Sequence, residues 1–203
     1  MTTFFSVDVE TSALDPWHGF LLTVGIVVVE HDHLTKKAEL AGAHCYVRID
    51  RTLELSEAAK TGLWLNEGNP NSSYGWWTRQ SKEARDEAFA DAGLPRLSPL
   101  NAALLISDFC ISMQPVAKDR IFVANPVAFD QMWLRALFSE TGVADPFHYQ
   151  SLCLRSMKFG LREGTPWGAE RDNALPEIPH HALHDAAAQA VDLVNMLRER
   201  DGA

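Results

Sequence analysis

The chain has 203 residues, of which 46% are hydrophobic and 22% are charged. This composition is ordinary for a globular protein and excludes a disordered, collagen-like or coiled-coil chain, so we expect one domain over residues 1–203. With 18 Lys and Arg against 27 Asp and Glu, the formal net charge is −9. Such a charge disfavours a polyanionic partner, unless some of the carboxylates hold divalent cations and reverse the local charge.

Two further features bear on where the protein works. The longest apolar stretch, Leu21–Val29, is far shorter than the roughly 20 residues that a membrane-spanning helix needs, so we expect no membrane partner. The first ten residues carry Asp8 and Glu10 but no Lys or Arg, the reverse of a secretory signal. We therefore expect a cytoplasmic protein. We also expect its cysteines to be reduced, because the three Cys residues are widely separated and form no disulfide or zinc pattern.

The first fifty residues predict three strands. Residues 3–10 alternate with a period of two, and Leu21–Val29 is almost entirely apolar, as in the central strands of a sheet. Residues 41–48 follow a polar turn and predict a third strand, antiparallel to the second.

The rest of the chain predicts helices separated by short strands. Ser98 and Pro99 begin a helix that runs to about Met113, and residues 120–124 (RIFVA) predict a strand. Asn125 then caps a helix that begins at Pro126. Residues 147–159 are ambiguous between strand and helix, residues 160–179 predict a loop, and the last helix spans about His181 to Arg200. This order predicts an α/β fold with a mixed central sheet flanked by helices, compatible with the ribonuclease H-like fold.

Acidic side chains in three separate segments are the candidates for chemistry. Asp8 and Glu10 share one face of the first strand, where their repulsion and lost hydration would be offset by a divalent metal; a solvated strand end is the alternative. Asp130 lies five residues after Asn125, beyond the first turn of its helix, at the margin between core and surface. An ordinary surface position is the alternative for this residue.

Asp185 begins the last helix beside three histidines, His180, His181 and His184. A carboxylate in this place is also explained by the helix dipole, but histidine is the side chain best suited to proton transfer near neutrality. A zinc site from His180 and His184 is an alternative, although it lacks the Glu of the HExxH pattern.

Together, these motifs resemble those of the DEDDh 3′-5′ exonucleases. Residues 4–11 (FFSVDVET), 124–130 (ANPVAFD) and 180–186 (HHALHDA) resemble the three exonuclease motifs, in the same order along the chain. Residues 76–85 (WWTRQSKEAR) and the pair Gln189–Ala190 are similar to the subset that contains the mycobacterial exoribonuclease AS and the T-even phage exodeoxyribonuclease A. Pro126 stands where this subset usually has Gly.

The resemblance implies a 3′-5′ exonuclease that acts on single-stranded RNA or DNA and releases 5′-mononucleotides. Asp8, Glu10, Asp130 and Asp185 would hold two Mg²⁺ or Mn²⁺ ions, for which carboxylate oxygens are suitable ligands. Two such ions about 3.5 to 4 Å apart activate water and stabilise the leaving oxygen. His180 would act as the general base.

The resemblance also implies contacts to the substrate. Thr11 and Leu14 would grip the terminal nucleotide, and Asn125 belongs to the second motif. Trp76 or Trp77 would stack on a base, with core packing as the alternative. Arg155 beside Ser156 resembles a family Arg-Ser/Thr pair that contacts the substrate, with a surface charge as the alternative. Two other functions stay open: an inactive exonuclease fold that only binds nucleic acid, and a histidine-cluster zinc hydrolase. A homodimer is compatible with the sequence, and no feature of it distinguishes RNA from DNA.

Overall fold

The computed structural model describes residues 1–14, 16–61, 73–89, 95–161 and 176–202. Its strands are β1 (Thr2–Thr11), β2 (Leu21–Asp32), β3 (Lys37–Ile49), β4 (Arg96–Leu97), β5 (Arg120–Ala124) and β6 (Ser151–Cys153). Its helices are α1 (Thr52–Thr61), α2 (Ser73–Trp77), α3 (Lys82–Phe89), α4 (Pro99–Met113), α5 (Val127–Thr141), α6 (Leu154–Leu161) and α7 (Ala182–Asp201). Residues 66–73 (NEGNPNSS) are also typical of a loop and residues 81–93 (SKEARDEAFADAG) of a helix. Of these segments, residues 66–72 and 90–93 lie outside the described residues, as does most of the predicted 160–179 loop.

The strands form one mixed sheet in the order β4-β3-β2-β1-β5-β6. Strands β1, β2 and β3 are antiparallel neighbours, whereas β5 runs parallel to β1 on its other side, with Ser6 opposite Val123. This confirms the predicted mixed sheet. Because parallel strands end at the same edge, the residues that follow β5 lie beside the carboxyl end of β1.

Helices cover both faces of the sheet. One face of β1, with Phe5, Val7 and Val9, belongs to a core that includes residues of α4 and α5. The other face carries Phe4, which packs with α7 and with Leu154 of α6. The alternation along β1 therefore points Asp8 and Glu10, which share the face of Phe4, toward the α7 side of the sheet.

Several boundaries differ from the predicted ones. Strand β3 begins at Lys37 rather than at residue 41, and the ambiguous segment contains both a strand, β6, and a helix, α6, which also takes in Gly160 and Leu161. Helix α5 has Pro126 at its N-cap, so the prediction that Asn125 caps this helix is wrong. The Asn125–Pro126 peptide bond is cis. Among the described helices, none is both long enough and apolar enough to cross a bilayer.

Candidate active site

Strand β1 presents the first two acidic residues toward α7. Glu10 is buried and Asp8 is half-buried, and the register with β2 is interrupted between Glu10 and Thr11. On the same face, the hydroxyl of Ser6 donates a hydrogen bond of 2.9 Å to the carbonyl of Ala186 in α7. This bond ties the helix that carries Asp185 directly to the strand that carries Asp8.

Asp130 comes to the same edge of the sheet from α5. Its side chain is 3% exposed, and its Oδ1 accepts a hydrogen bond of 3.2 Å from the backbone N–H of Val9. The expected position at the margin between core and surface is therefore wrong. Since α5 begins at Val127, Asp130 lies in the first turn of this helix, and its carboxylate lies beside β1.

The segment before α7 delivers His180 and Asp185 together. His180 has a positive φ of 63°, and its backbone N–H donates a hydrogen bond of 2.7 Å to Oδ2 of Asp185. One ring nitrogen of His180, one carboxylate oxygen of Glu10 and one of Asp185 all lie within 4.8 Å of one another. The predicted general base thus lies beside two members of the acid cluster, which we define as Asp8, Glu10, Asp130 and Asp185.

A glycine allows α7 to approach the sheet this closely. Gly25 in β2 is paired with Asp8, and a Cβ atom there would lie 2.3 Å from the carbonyl carbon and oxygen of Ala182. No side chain fits in that space. The start of α7, and with it Asp185, therefore sits against β2 only because residue 25 is glycine.

Burial raises the pKa of all four clustered carboxyls, and repulsion by the other carboxylates raises it further for Asp8 and Glu10. Burial raises the pKa of Asp8 well above its usual range, and the charges of Asp130, Glu10 and Asp185 raise it further. The pKa of Glu10 is raised by burial and then by the charges of Asp185 and Asp130. Burial also raises the pKa of Asp130 to about 7 and raises that of Asp185 against the hydrogen bond from His180. Hard divalent cations would relieve this repulsion through oxygen ligands, so the residues present fit such ions.

The cluster lies in a cleft of about 690 Å³. Thr11, Leu14, Trp76 and Asn125 line this cleft together with the acid cluster and His180. Leu14 is 74% exposed, and the ring centroid of Trp76 lies 4.7 Å from that of His180. The side-chain oxygen of Asn125 is buried without a hydrogen-bond partner. These four predicted substrate contacts therefore share the space in front of the carboxylates.

Two other predicted contacts have different positions. Trp77 also borders the cleft, but it is 2% exposed and packs with Leu22, Ala84 and Ala88. Its indole N–H donates a hydrogen bond of 2.9 Å to the carbonyl of Thr11, so core packing is the role its surroundings fit. Arg155 lies in α6 and is not among the described residues that line the cleft.

The other two histidines take part in a separate stack. The ring of His181 lies 4.2 Å from that of His184, at an interplanar angle of 13°, and 4.9 Å from that of Tyr46. The Nδ1 of His184 accepts a hydrogen bond from the backbone N–H of Ile178. Within the described part of the chain, the only group of three His, Cys, Asp or Glu side chains close enough to surround a metal contains His180 and neither of these histidines.

Gln189 is a residue of the site whose role the sequence reasoning missed. Its side-chain N–H donates a hydrogen bond of 2.8 Å to Oδ1 of Asp8, which orients that carboxylate and opposes the rise in its pKa. The signal was available in the sequence, because residues 185 and 189 are one helical turn apart and share a face of α7. Lys158 and Asp192, which also line the cleft, were missed because their pairing depends on how α6 packs against α7.

Comparisons with known proteins identify the family of the chain. The family model of the 3′-5′ exoribonuclease Rv2179c-like domain matches residues 3–197, whereas no curated protein matches the sequence significantly. Among solved structures, E. coli exonuclease I in complex with a dT13 oligonucleotide is 18% identical, with a TM-score of 0.58 over 98% of this chain and 42% of that one. Exonuclease I from Methylocaldum szegediense is 14% identical, with the same TM-score over 98% of this chain and 41% of that one.

A third similar structure is described as the zinc-ion-bound form of the E. coli exonuclease I complex with single-stranded DNA, at 16% identity and a TM-score of 0.54. The chain thus spans about two fifths of the length of the exonuclease I chains that it matches. These likenesses show a ribonuclease H-like fold, and the family match covers nearly all of the chain. The chain belongs to the 3′-5′ exoribonuclease Rv2179c-like domain family.

Proposed function

We propose that the chain, as one domain, hydrolyses single-stranded nucleic acid from the 3′ end and releases 5′-mononucleotides with the help of two Mg²⁺ or Mn²⁺ ions. The observation that carries this proposal is the acid cluster itself, in which carboxyls from β1, α5 and α7 meet at one edge of the sheet with their pKa values raised by burial. Asp8 would contact both ions, Glu10 and Asp185 would each favour one of them, and Asp130 would help to hold the second. Two bound ions supply an activated water and stabilise the leaving 3′ oxygen.

His180 would act as the general base in this reaction. A ring nitrogen of this residue lies beside the carboxylates of Glu10 and Asp185, where it can take a proton from the water that attacks the last phosphorus. The bond from phosphorus to the 3′ oxygen of the preceding nucleotide breaks, and that oxygen takes up a proton. The products are a 5′-mononucleotide and a strand with a new 3′ hydroxyl.

The cleft has the features that a terminal nucleotide needs. Leu14 offers an exposed apolar side chain against a base, and half-buried Trp76 offers an aromatic surface, for which stacking is worth about 1 to 3 kcal/mol per base. Thr11 lies next to Glu10, with its carbonyl held by Trp77. Asn125 also lines this cleft.

The decisive experiment compares matched linear and circular single strands. RNA and DNA oligonucleotides, labelled at the 5′ end, are incubated with the protein in Mg²⁺ or Mn²⁺, and the products are separated by length. We expect a ladder that shortens from the 3′ end, blocked by a 3′-phosphate and absent with Asp8→Asn. Cleavage of a circle as fast as of the linear strand would contradict the proposal. The family description favours RNA as the better substrate, and the same gel decides between the sugars.

Pairing with a second copy of the chain and a cytoplasmic location stay predictions. Size-exclusion chromatography with light scattering tests the first of these. Imaging of a tagged copy in its native cell tests the second.

A further inference from the structure

One ion pair lies on the wall of the cleft outside the acid cluster. The ammonium nitrogen of Lys158 in α6 is 2.6 Å from Oδ2 of Asp192 in α7, and both residues line the cleft. Their side chains are 19% and 11% exposed. An unpaired carboxylate buried to this degree is costly, so Asp192 holds the Lys158 ammonium in a fixed place rather than leaving it free in solvent.

The position of this pair is set by the periodicity of α7. Asp185, Gln189 and Asp192 follow one another at helical spacings of four and three, so they share one face of the helix, and all of them line the cleft. From Asp185 to Asp192 the helix rises by about 10 Å. Gln189, between them, contacts Asp8. The pair thus continues the row of polar side chains that begins at the acid cluster.

The positive charge of Lys158 is one of few in the described lining of the cleft. The described residues that line the cleft include two cationic side chains other than histidine, Arg79 and Lys158, and Arg79 is exposed. A strand that enters the cleft meets the acid cluster, so a cation near that cluster offsets part of the repulsion on the phosphates. A lysine ammonium has three donor hydrogens and is able to contact Asp192 and a phosphate oxygen at the same time.

We propose that Lys158, held by Asp192, binds a backbone phosphate of the single strand next to the one that is cleaved. This subsite rests on the proposed function, since it assumes that a single strand occupies the cleft. Asp192 is a positioning residue in this arrangement, because it fixes where the Lys158 ammonium lies. By sharing that ammonium, Asp192 also weakens the binding of Lys158 to each phosphate, so the strand can move as it shortens.

The test is the salt dependence of strand binding. The dissociation constant of a labelled single-stranded oligonucleotide is measured in Mg²⁺ at several KCl concentrations, in a His180→Ala background that keeps all four carboxylates. Each lost phosphate contact reduces the slope of log affinity against log salt by about 0.7 for a single strand. We expect Lys158→Met to weaken binding several-fold and to reduce the slope by that amount, Lys158→Arg to restore the slope, and Asp192→Asn to keep the slope and tighten binding.

Two comparisons separate the alternatives. Lys82→Met is the matched control, because Lys82 is also paired with an aspartate, Asp86, but is exposed on α3; it should leave the slope unchanged. If Lys158→Met folds poorly, the double variant Lys158→Met/Asp192→Leu removes both charges. An unchanged slope in these Lys158 variants, with a lower melting temperature, would show that the pair only joins α6 to α7 and would overturn the proposal. Failure of the parent protein to bind any single strand would instead contradict the proposed function.

Discussion

The carboxyl of Asp130 has a pKa raised by burial to about 7, against about 3.9 in an unfolded chain. The folded state therefore binds a proton that the unfolded state has already lost, and the free energy of unfolding must fall as the pH rises through this interval. Asp8, Glu10 and Asp185 are shifted in the same direction. In EDTA, we expect the melting temperature to decrease as the pH rises from about 4 to about 7.

Calorimetry or a thermal-shift assay over this pH range checks the prediction. Asp130→Asn should flatten the dependence, whereas Asp108→Asn, at an exposed position of α4, should not change it. Saturating Mg²⁺ should stabilise the protein most at the higher pH, because the ions compete with protons for the same oxygens. A melting temperature that rises with pH in EDTA would contradict the assigned shifts.

Asp8 is the carboxyl whose pKa is raised by the charges of all three other members of the cluster. Replacing it with Asn removes one of the repelling charges and keeps a hydrogen-bonding side chain for Gln189. We expect Asp8→Asn to abolish turnover and to raise the melting temperature of the metal-free protein. Excess Mg²⁺ should stabilise the wild type more than this variant. Equal metal-induced shifts in the two proteins would exclude Asp8 as a ligand.

Of the three neighbouring histidines, His180 is the one whose ring lies beside Glu10 and Asp185 of the acid cluster. A general base contributes about 10² to 10⁴-fold to the rate, so His180→Ala should reduce kcat by that factor with metal binding nearly unchanged. His184→Ala is the matched control, because its ring belongs to the stack with His181. Single-turnover rates at saturating Mg²⁺ decide the matter. If His184→Ala were the more damaging change and also removed a bound Zn²⁺, the zinc-hydrolase alternative would be favoured.

For individual residues, the sequence was sufficient to predict which side chains belong to the candidate site, but not how deeply they are buried or what they contact. The spacing of Asp8 and Glu10 on one strand face, and that of His180 and Asp185, are local patterns that survive folding. The burial of Asp130 was not predictable locally, because it results from β5 lying parallel to β1 and from the hydrogen bond to Val9. The contrast between Trp76 and Trp77 likewise depends on what α2 packs against.

Helix α7 and strand β2 meet where Gly25 leaves room for the backbone of Ala182. A methyl group at this position must push the start of α7 away, and overpacking of this kind costs about 1 to 3 kcal/mol. Because the same turn carries Asp185, we expect Gly25→Ala to lose most of its activity as well as stability. Gly160→Ala is the control, since nothing lies within 4 Å of a Cβ atom there. Denaturant unfolding and nuclease rates on both variants test this, and a fully active Gly25→Ala protein would contradict it.

Among the elements, strands and helices with a long periodic pattern were predictable, and their junctions were not. The pattern of β1, β2 and α4 is carried by many residues, so a few exceptions do not change it. The start of α5 depends on one junction, at which Pro126 takes the N-cap. The segment after Phe147 contains both β6, with 3 residues, and α6, with 8 residues. Because each element is short, the periodicity of the segment indicated neither structure clearly.

The whole molecule carries a formal net charge of −9, so its long-range field repels a nucleic acid. In the proposed function, divalent cations bound in the cleft would reverse this charge only locally. We therefore expect the His180→Ala protein to bind a single-stranded oligonucleotide at least about tenfold more tightly in Mg²⁺ than in EDTA at equal ionic strength. Fluorescence anisotropy measures the two affinities. Equal affinities would place the strand on a surface away from the acid cluster.

The acid cluster joins residues 8 and 10 to residue 130 and to residues 180 and 185, with α7 packed against β1 and β2. During synthesis on a ribosome, the first strands and α5 are made long before α7. A growing chain therefore lacks Asp185, the proposed fourth ligand, and His180, the proposed general base, until the segment after residue 179 has emerged and packed. If the chain has the proposed activity, a nascent chain would spare the messenger RNA that encodes it, because the site would be complete only once the last helix has docked.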